Sequence, residues 1–230
     1  MSTTLYKLGF QVGQILKQIH NQKLEKKIIF DQQDGSPDGD GITSPTSNFM
    51  NALYSANKYY HSIIDVQKVT GSVVYAGYTT INNMIYFEID SSKTSSLSIT
   101  FSVVDKDSQT VGSIWFQNCY VVFKNVTFNL PSELNPLTAN YVPSIPLSFI
   151  GCTVIFSGCT FRNNSTSPNI TFMNLVGSNV YLESCTLNGN SFTLACSTTH
   201  PSLISLNYIT NNAGAVYKDS NSKWIMYSNS

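Results

Sequence analysis

"SIWFQNCYVVFKNVTF", residues 113–128, holds two alternating apolar runs separated by a turn. It aligns without a gap to "PLSFIGCTVIFSGCTF" at 146–161 and "FMNLVGSNVYLESCTL" at 172–187. The alignment superposes Ile114, Leu147 and Met173, then Phe116, Phe149 and Leu175. It continues with Val121, Val154 and Val180, then Phe123, Phe156 and Leu182. Alternation at period two is the mark of strands with one buried face. Trp115, Ser148 and Asn174, and later Lys124, Ser157 and Glu183, fall between the apolar positions and share no chemistry, which assigns them to the outside.

The phase breaks at Asn125, Gly158 and Ser184, after which Val126, Cys159 and Cys185 take the inner face and Thr127, Thr160 and Thr186 the outer one. The chain is expected to turn a corner there. Short strands, corners in place of hairpins, and like residues at like places describe coils stacked in parallel, because one coil cannot bury its inner residues until the next one covers it. An antiparallel sandwich would also alternate, but it gives no reason for Cys159 and Cys185 or the three threonines to keep register. The offsets of 33 and 26 residues place the surplus in loops, the longer of them carrying Pro131, Pro136, Pro143 and Pro146. The expected fold is mainly β, a short parallel β-helix. Cys119 and Cys152 share one aligned place and Cys159 and Cys185 another, as small buried residues filling repeated positions do.

Upstream, Leu5, Leu8, Val12, Ile15 and Ile19 alternate spacings of three and four, one stripe of an amphipathic helix that can hold copies of the chain together. The basic residues from Lys17 to Lys27 read as its solvated end. A loop with Asp34, Gly35, Pro37, Gly39 and Gly41 follows, then a helix opening near Thr46 with Phe49, Leu53 and Ala56 buried. "SIIDV" and "SVVYAG" read as short strands. The resulting division is an attachment helix at 1–30, a helix-containing cap module at 31–95, coils at 96–210, and a C-terminal cap or inter-chain contact segment at 211–230 that includes Trp224, Ile225 and Met226.

Gly39-Asp40-Gly41-Ile42, followed by a helix with Phe49, Ala52 and Ala56 and then a "VVY" strand, resembles the cap of phage tailspike and tail-fibre proteins built on a pectate-lyase-like right-handed parallel β-helix. The likeness spans roughly residues 38–77. Where that family carries acidic residues and a proline-glycine turn, this chain has Ser44-Pro45 and Ala76-Gly77. The resemblance implies that the Gly-Asp-Gly segment closes the end of the coil stack, a structural role, and that Asp40 is not catalytic. It also implies a homotrimer in the virion tail, made in the host cytoplasm, with other tail or baseplate proteins and a host-surface polysaccharide as partners.

Composition sets the exclusions. Among 230 residues only 11% are charged and the formal net charge is zero; an average domain has roughly 25% charged residues. Nucleic acid is a poor fit, since phosphate binding needs clustered Lys and Arg. No run approaches the roughly 18 apolar residues of a membrane span, and the first residues are too polar for a secretory signal. Five cysteines, an odd number without a CxxC pair, read as free thiols. Asp31, Asp34, Asp38 and Asp40 lack the spacing of a calcium loop and read as a solvated turn, so no metal or other cofactor is expected.

Chemistry is thinly supplied. Between Asp107 and Asp219 the only acids are Glu133 and Glu183, so a glycoside-hydrolysing pair would use those two within one subunit or Glu183 with an acid of a neighbouring chain, and the three histidines stand apart with no motif around them. No catalytic residue is assigned. Trp115, Tyr120 and Tyr181 at outer positions, with Arg162 aligned near Glu183, read instead as contacts for sugars, which stack on aromatics and hydrogen-bond to polar side chains. The expectation is a virion structural protein for host-surface glycan recognition or fibre attachment. The alternatives are a depolymerase of capsule or lipopolysaccharide and a bacterial surface adhesin.

Overall fold

The residue pairs that the repeat superposes within strands are in-register neighbours in parallel sheets. A computed structural model describes residues 25–94, 96–105, 110–130, 145–165, 171–189, 192–213, 216–217 and 223–227. In it Val121 pairs in register with Val154 and Val154 with Val180, Phe116 with Phe149 and Phe149 with Leu175, and Thr127 with Thr160 and Thr160 with Thr186. The chain winds about an axis as a parallel β-helix.

Three sheets make the walls. The first has eight strands, Glu25–Phe30, His61–Val66, Tyr86–Asp90, Tyr120–Lys124, Thr153–Ser157, Asn179–Glu183, Leu203–Asn207 and Lys223–Tyr227, hydrogen-bonded in that order. The second has six, from Ser72–Tyr75 through Leu97–Phe101, Val126–Leu130, Thr160–Asn163 and Thr186–Gly189 to Thr210–Ala213. The third has six, from Tyr78–Asn82 through Ser113–Gln117, Leu147–Ile150, Thr171–Val176 and Phe192–Cys196 to Val216–Tyr217. From Tyr78 onward each coil passes from the third sheet to the first and then the second before closing. A small antiparallel pair, Val103–Asp105 with Thr110–Val111, lies on one such closure.

The stack is longer than residues 96–210. Glu25–Phe30 pairs with His61–Val66 residue for residue, so Lys26 and Lys27 stand on the terminal strand of the first sheet and not on a helix end. The strand Glu25–Phe30 is only six residues long, and the helix and loop inserted before His61 hide its kinship with the later coils. Val216–Tyr217 and Lys223–Tyr227 likewise continue the third and first sheets. Leu5, Leu8, Val12, Ile15 and Ile19 lie outside the described residues.

Both corners use the left-handed backbone region. Asn83, Asn118, Gly151 and Gly177, with φ between 53° and 62°, turn the chain from the third sheet to the first. Asn125, Gly158, Ser184 and Tyr208, also between 53° and 62°, turn it from the first to the second. Asn and Gly tolerate this region best, and the phase break in the sequence marks it. The corner amides from Asn83 to Ser184 donate to carbonyls of the next coil, as from Asn118 to Ile150 at 2.9 Å, Gly158 to Glu183 at 2.9 Å and Gly177 to His200 at 2.8 Å.

The residue after the first corner points inward and closes a second ladder. The Met84 amide donates to the Cys119 Sγ, that of Cys119 to the Cys152 Sγ, that of Cys152 to the Ser178 Oγ at 3.0 Å, and that of Ser178 to the Ser202 Oγ at 3.0 Å. The Ser178 hydroxyl in turn donates to the Phe149 carbonyl at 3.0 Å. Thiol and hydroxyl are interchangeable here because each offers one donor and one acceptor. Ser178→Ala is therefore expected to lose about 1–3 kcal/mol of stability, the cost of an orphaned buried amide. Ser178→Cys should stay within about 1 kcal/mol of the parent; urea denaturation of the two variants checks the contrast, and equal losses would contradict the ladder.

Inside, phenylalanines stack from coil to coil. Phe123 lies on Phe156 at 5.0 Å and 12°, Phe116 on Phe149 at 5.3 Å and 13°, and Phe128 on Phe161 at 5.4 Å and 15°, with edge contacts between the stacks. The stack's first end is closed by the Gly-Asp-Gly loop and the helix Phe49–Ala56. The Ile29 amide donates to the Gly41 carbonyl, and the Thr46 amide to the Ile29 carbonyl, so the loop covers the outer edge of the terminal strand at Ile29. The Asp40 Oδ1 accepts from the amides of Ile42 and Thr43, which hold its carboxyl down at about 2. The helix is capped by Asn48, whose side chain accepts from Met50 and Asn51; Thr46, expected near this cap, supports Asn48 through its hydroxyl. Phe49, Leu53 and Ala56 are buried as expected, and Phe49 sits edge-on to Phe30 and Tyr75.

Candidate functional site

The outer face of the first sheet gathers charges that its strands carry at alternate positions. Asp65 is almost fully buried, with Lys27 Nζ 2.5 Å from one carboxylate oxygen, where Gln67 Nε2 also donates at 2.7 Å, and Lys93 Nζ 3.3 Å from the other. One coil on, Glu88 is buried against Lys124 Nζ at 2.9 Å and accepts the Tyr86 hydroxyl. Burial pushes the Asp65 carboxyl up, but the bonds from Lys27, Gln67 and Lys93 outweigh it and hold the group below the usual range. Asp90 behaves alike, burial being outweighed by the Ser92 hydroxyl and amide and by Lys124 and Lys93. Burial, reinforced by Glu88, raises the Tyr86 phenol well above its ordinary value.

Asp65, Glu88 and Asp90 escape the sequence reading because their strands belong there to a cap module and not to coils. The alternation in "HSIIDV" and "YFEID" carries the signal. A hydrolytic pair needs one carboxyl kept protonated near neutrality, and the contacts around Asp65 and Asp90 displace those two carboxyls the other way. Beside them His61, Tyr86 and Tyr120 form an aromatic row, Tyr86 stacking on Tyr120 at 5.7 Å and 17° and meeting the His61 ring at 4.8 Å with a tilt of 54°.

The sugar-contact candidates divide among three faces. Tyr120 and Tyr181 both lie on the first sheet but in different rows, Tyr120 in register with Thr153 and Asn179, and Tyr181 with Ile155 and Ser205. Trp115 is on the third sheet, its Nε1 donating to the Ser113 Oγ at 3.0 Å. It does not stand beside the tyrosines, because the left-handed corner at Asn118 turns the next strand to a new face. Ser148, in register with Trp115, is buried where an outward free position was expected, and its hydroxyl accepts from Asn174 at 3.1 Å.

Arg162 is on the second sheet and Glu183 ends a strand of the first, with a corner between them; among the described residues no ion pair joins them. Glu133 lies outside the described residues. In the acidic loop Asp31 accepts the amides of Gln33 and Asp34, and Asp34 pairs with Lys68.

One concavity lies over the second sheet. Ser72, Ser98, Thr100, Asn129, Arg162 and Asn164 line a groove of about 420 Å3 that crosses four coils. The Ser72 and Thr100 hydroxyls are 2.7 Å apart, and the Asn129 Nδ2 donates to the Ser98 Oγ at 2.7 Å. Arg162 is exposed and sits in register between Asn129 and Asn188. The sequence reading finds Arg162 but not its companions, which are unremarkable residue types in a chain rich in Ser, Thr and Asn.

Comparison with known proteins gives no match to a family model, to a curated protein or to a solved structure.

Proposed function

We propose that this chain is a bacteriophage virion structural protein, a tailspike or tail-fibre component that recognises a host-surface glycan as a homotrimer held by its N-terminal segment to other tail proteins. The observation that carries the reading is the groove over the second sheet, which sets hydroxyls, amides and one guanidinium beside Leu130, polar groups of the kind a saccharide's hydroxyls pair with. Two features support it: the Gly-Asp-Gly loop and helix that close the stack as the tailspike resemblance implies, and the exposed aromatics Trp115 and Tyr120 on neighbouring faces.

The test joins mass and binding. Light scattering of the purified chain is expected to give three times the monomer mass, and biolayer interferometry against capsule and lipopolysaccharide preparations is expected to show binding. A monomer that binds none of them would end this reading. Breakdown of a bound polymer that disappears in Glu183→Gln or Glu133→Gln would make the chain a depolymerase instead.

A further inference from the structure

The groove differs from the first sheet's outer face in its electrostatics. There, Asp65 meets Lys27 and Lys93, and Glu88 meets Lys124. Over the second sheet, Arg162 is the chain's one arginine, and among the described residues no Asp or Glu lines the groove. Among the described residues it takes part in no ion pair. A guanidinium presents a planar fork of donors matched to a carboxylate, and the pairing is strongest where water is thinned by a concave wall.

A second observation is independent of charge. Asn129, in register beside Arg162, is only 7% exposed, and both of its amide bonds, to Ser98 and Thr100, are made by Nδ2. Its Oδ1 is buried with no hydrogen-bond partner. A buried acceptor left unpaired is costly and needs an explanation. A hydroxyl donor arriving in the groove supplies one.

We infer that the groove takes a carboxylated sugar, a uronic acid residue of a polysaccharide, with Arg162 holding the carboxylate and Asn129 accepting from a ring hydroxyl. This rests on the glycan-recognition reading and names its substrate class. One cation among the described residues lining the groove suits a single acidic ring better than a run of phosphates, which demands several.

The test uses the full chain on an array of uronate-bearing bacterial polysaccharides, each printed in native form and after reduction of its carboxylates to primary alcohols. Native forms are expected to bind at least about tenfold more tightly than reduced ones. Arg162→Gln should abolish that preference and Arg162→Lys should keep part of it, while Asn129→Ala weakens both forms. Thermal melting of each variant verifies that the coils are intact. Equal binding of native and reduced forms, or a preference that survives Arg162→Gln, overturns the inference and leaves glycan recognition standing. Absence of binding to both forms of every polysaccharide overturns both.

Discussion

Phe156→Ala is expected to remove about 3–5 kcal/mol of folding stability, near the top of what a single core truncation costs. The ring is fully buried and touches four others: it stacks on Phe123 at 5.0 Å and meets Phe128, Phe149 and Phe161 edge-on at 5.8, 6.0 and 5.0 Å. Those neighbours come from three faces and two coils, each pinned by ladder hydrogen bonds, so the cavity cannot collapse. For a chain of this size the melting temperature should fall by roughly 6–20 °C. Because a solenoid is held by nearest-neighbour interfaces, amide exchange should quicken in Tyr120–Lys124 and Asn179–Glu183, the strands on either side of Thr153–Ser157. Tyr181→Ala, on the outer face of the same sheet, serves as the control and should lie within about 1 kcal/mol of the parent. A loss below about 1 kcal/mol for Phe156→Ala would mean that the ring is not the centre of a close-packed stack.

The same residues show which parts of the molecule a sequence can disclose. Inner positions recur because stacking forces like residues onto one another, and corners recur because the left-handed region selects Asn and Gly; both constraints are local and so are visible in "SIWFQNCYVVFKNVTF" and its two copies. The inner ladder is half visible. Cys119 and Cys152 read as small buried fillers, but their hydrogen bonding becomes apparent only when Ser178 and Ser202 are found in the same row. The first coils are hidden by the segment from Asp31 to Tyr60, which lengthens the opening turn until the repeat no longer shows. The groove is the least visible part: Ser72, Ser98, Asn129 and Arg162 come from four strands of the second sheet, and no spacing along the chain requires them to meet. Trp115 and Tyr120 are the converse case, close in sequence and parted by a corner.

Gly189→Ala is expected to cost about 3 kcal/mol or more, since it combines backbone strain with a steric clash. Gly189 has φ of +93°, outside the range that L side chains adopt readily, and it pairs in register with Asn163 on the adjacent coil. A Cβ there would stand 2.0 Å from the Asn163 carbonyl oxygen and 2.7 Å from its carbon, so the backbone of one coil would have to move away from the other. Gly158 isolates the first of these two terms: its φ is +62°, but a Cβ would meet nothing within 4 Å. Gly158→Ala should therefore cost only about 1–2 kcal/mol, and Gly158→Asn less, because Asn125 already occupies the same place one coil earlier. Urea denaturation of the three variants orders them, with Gly189→Ala the most damaged by a clear margin. If Gly189→Ala and Gly158→Ala lost equal stability, the clash would contribute nothing, and the close approach of Thr186–Gly189 to Thr160–Asn163 would not exist in solution.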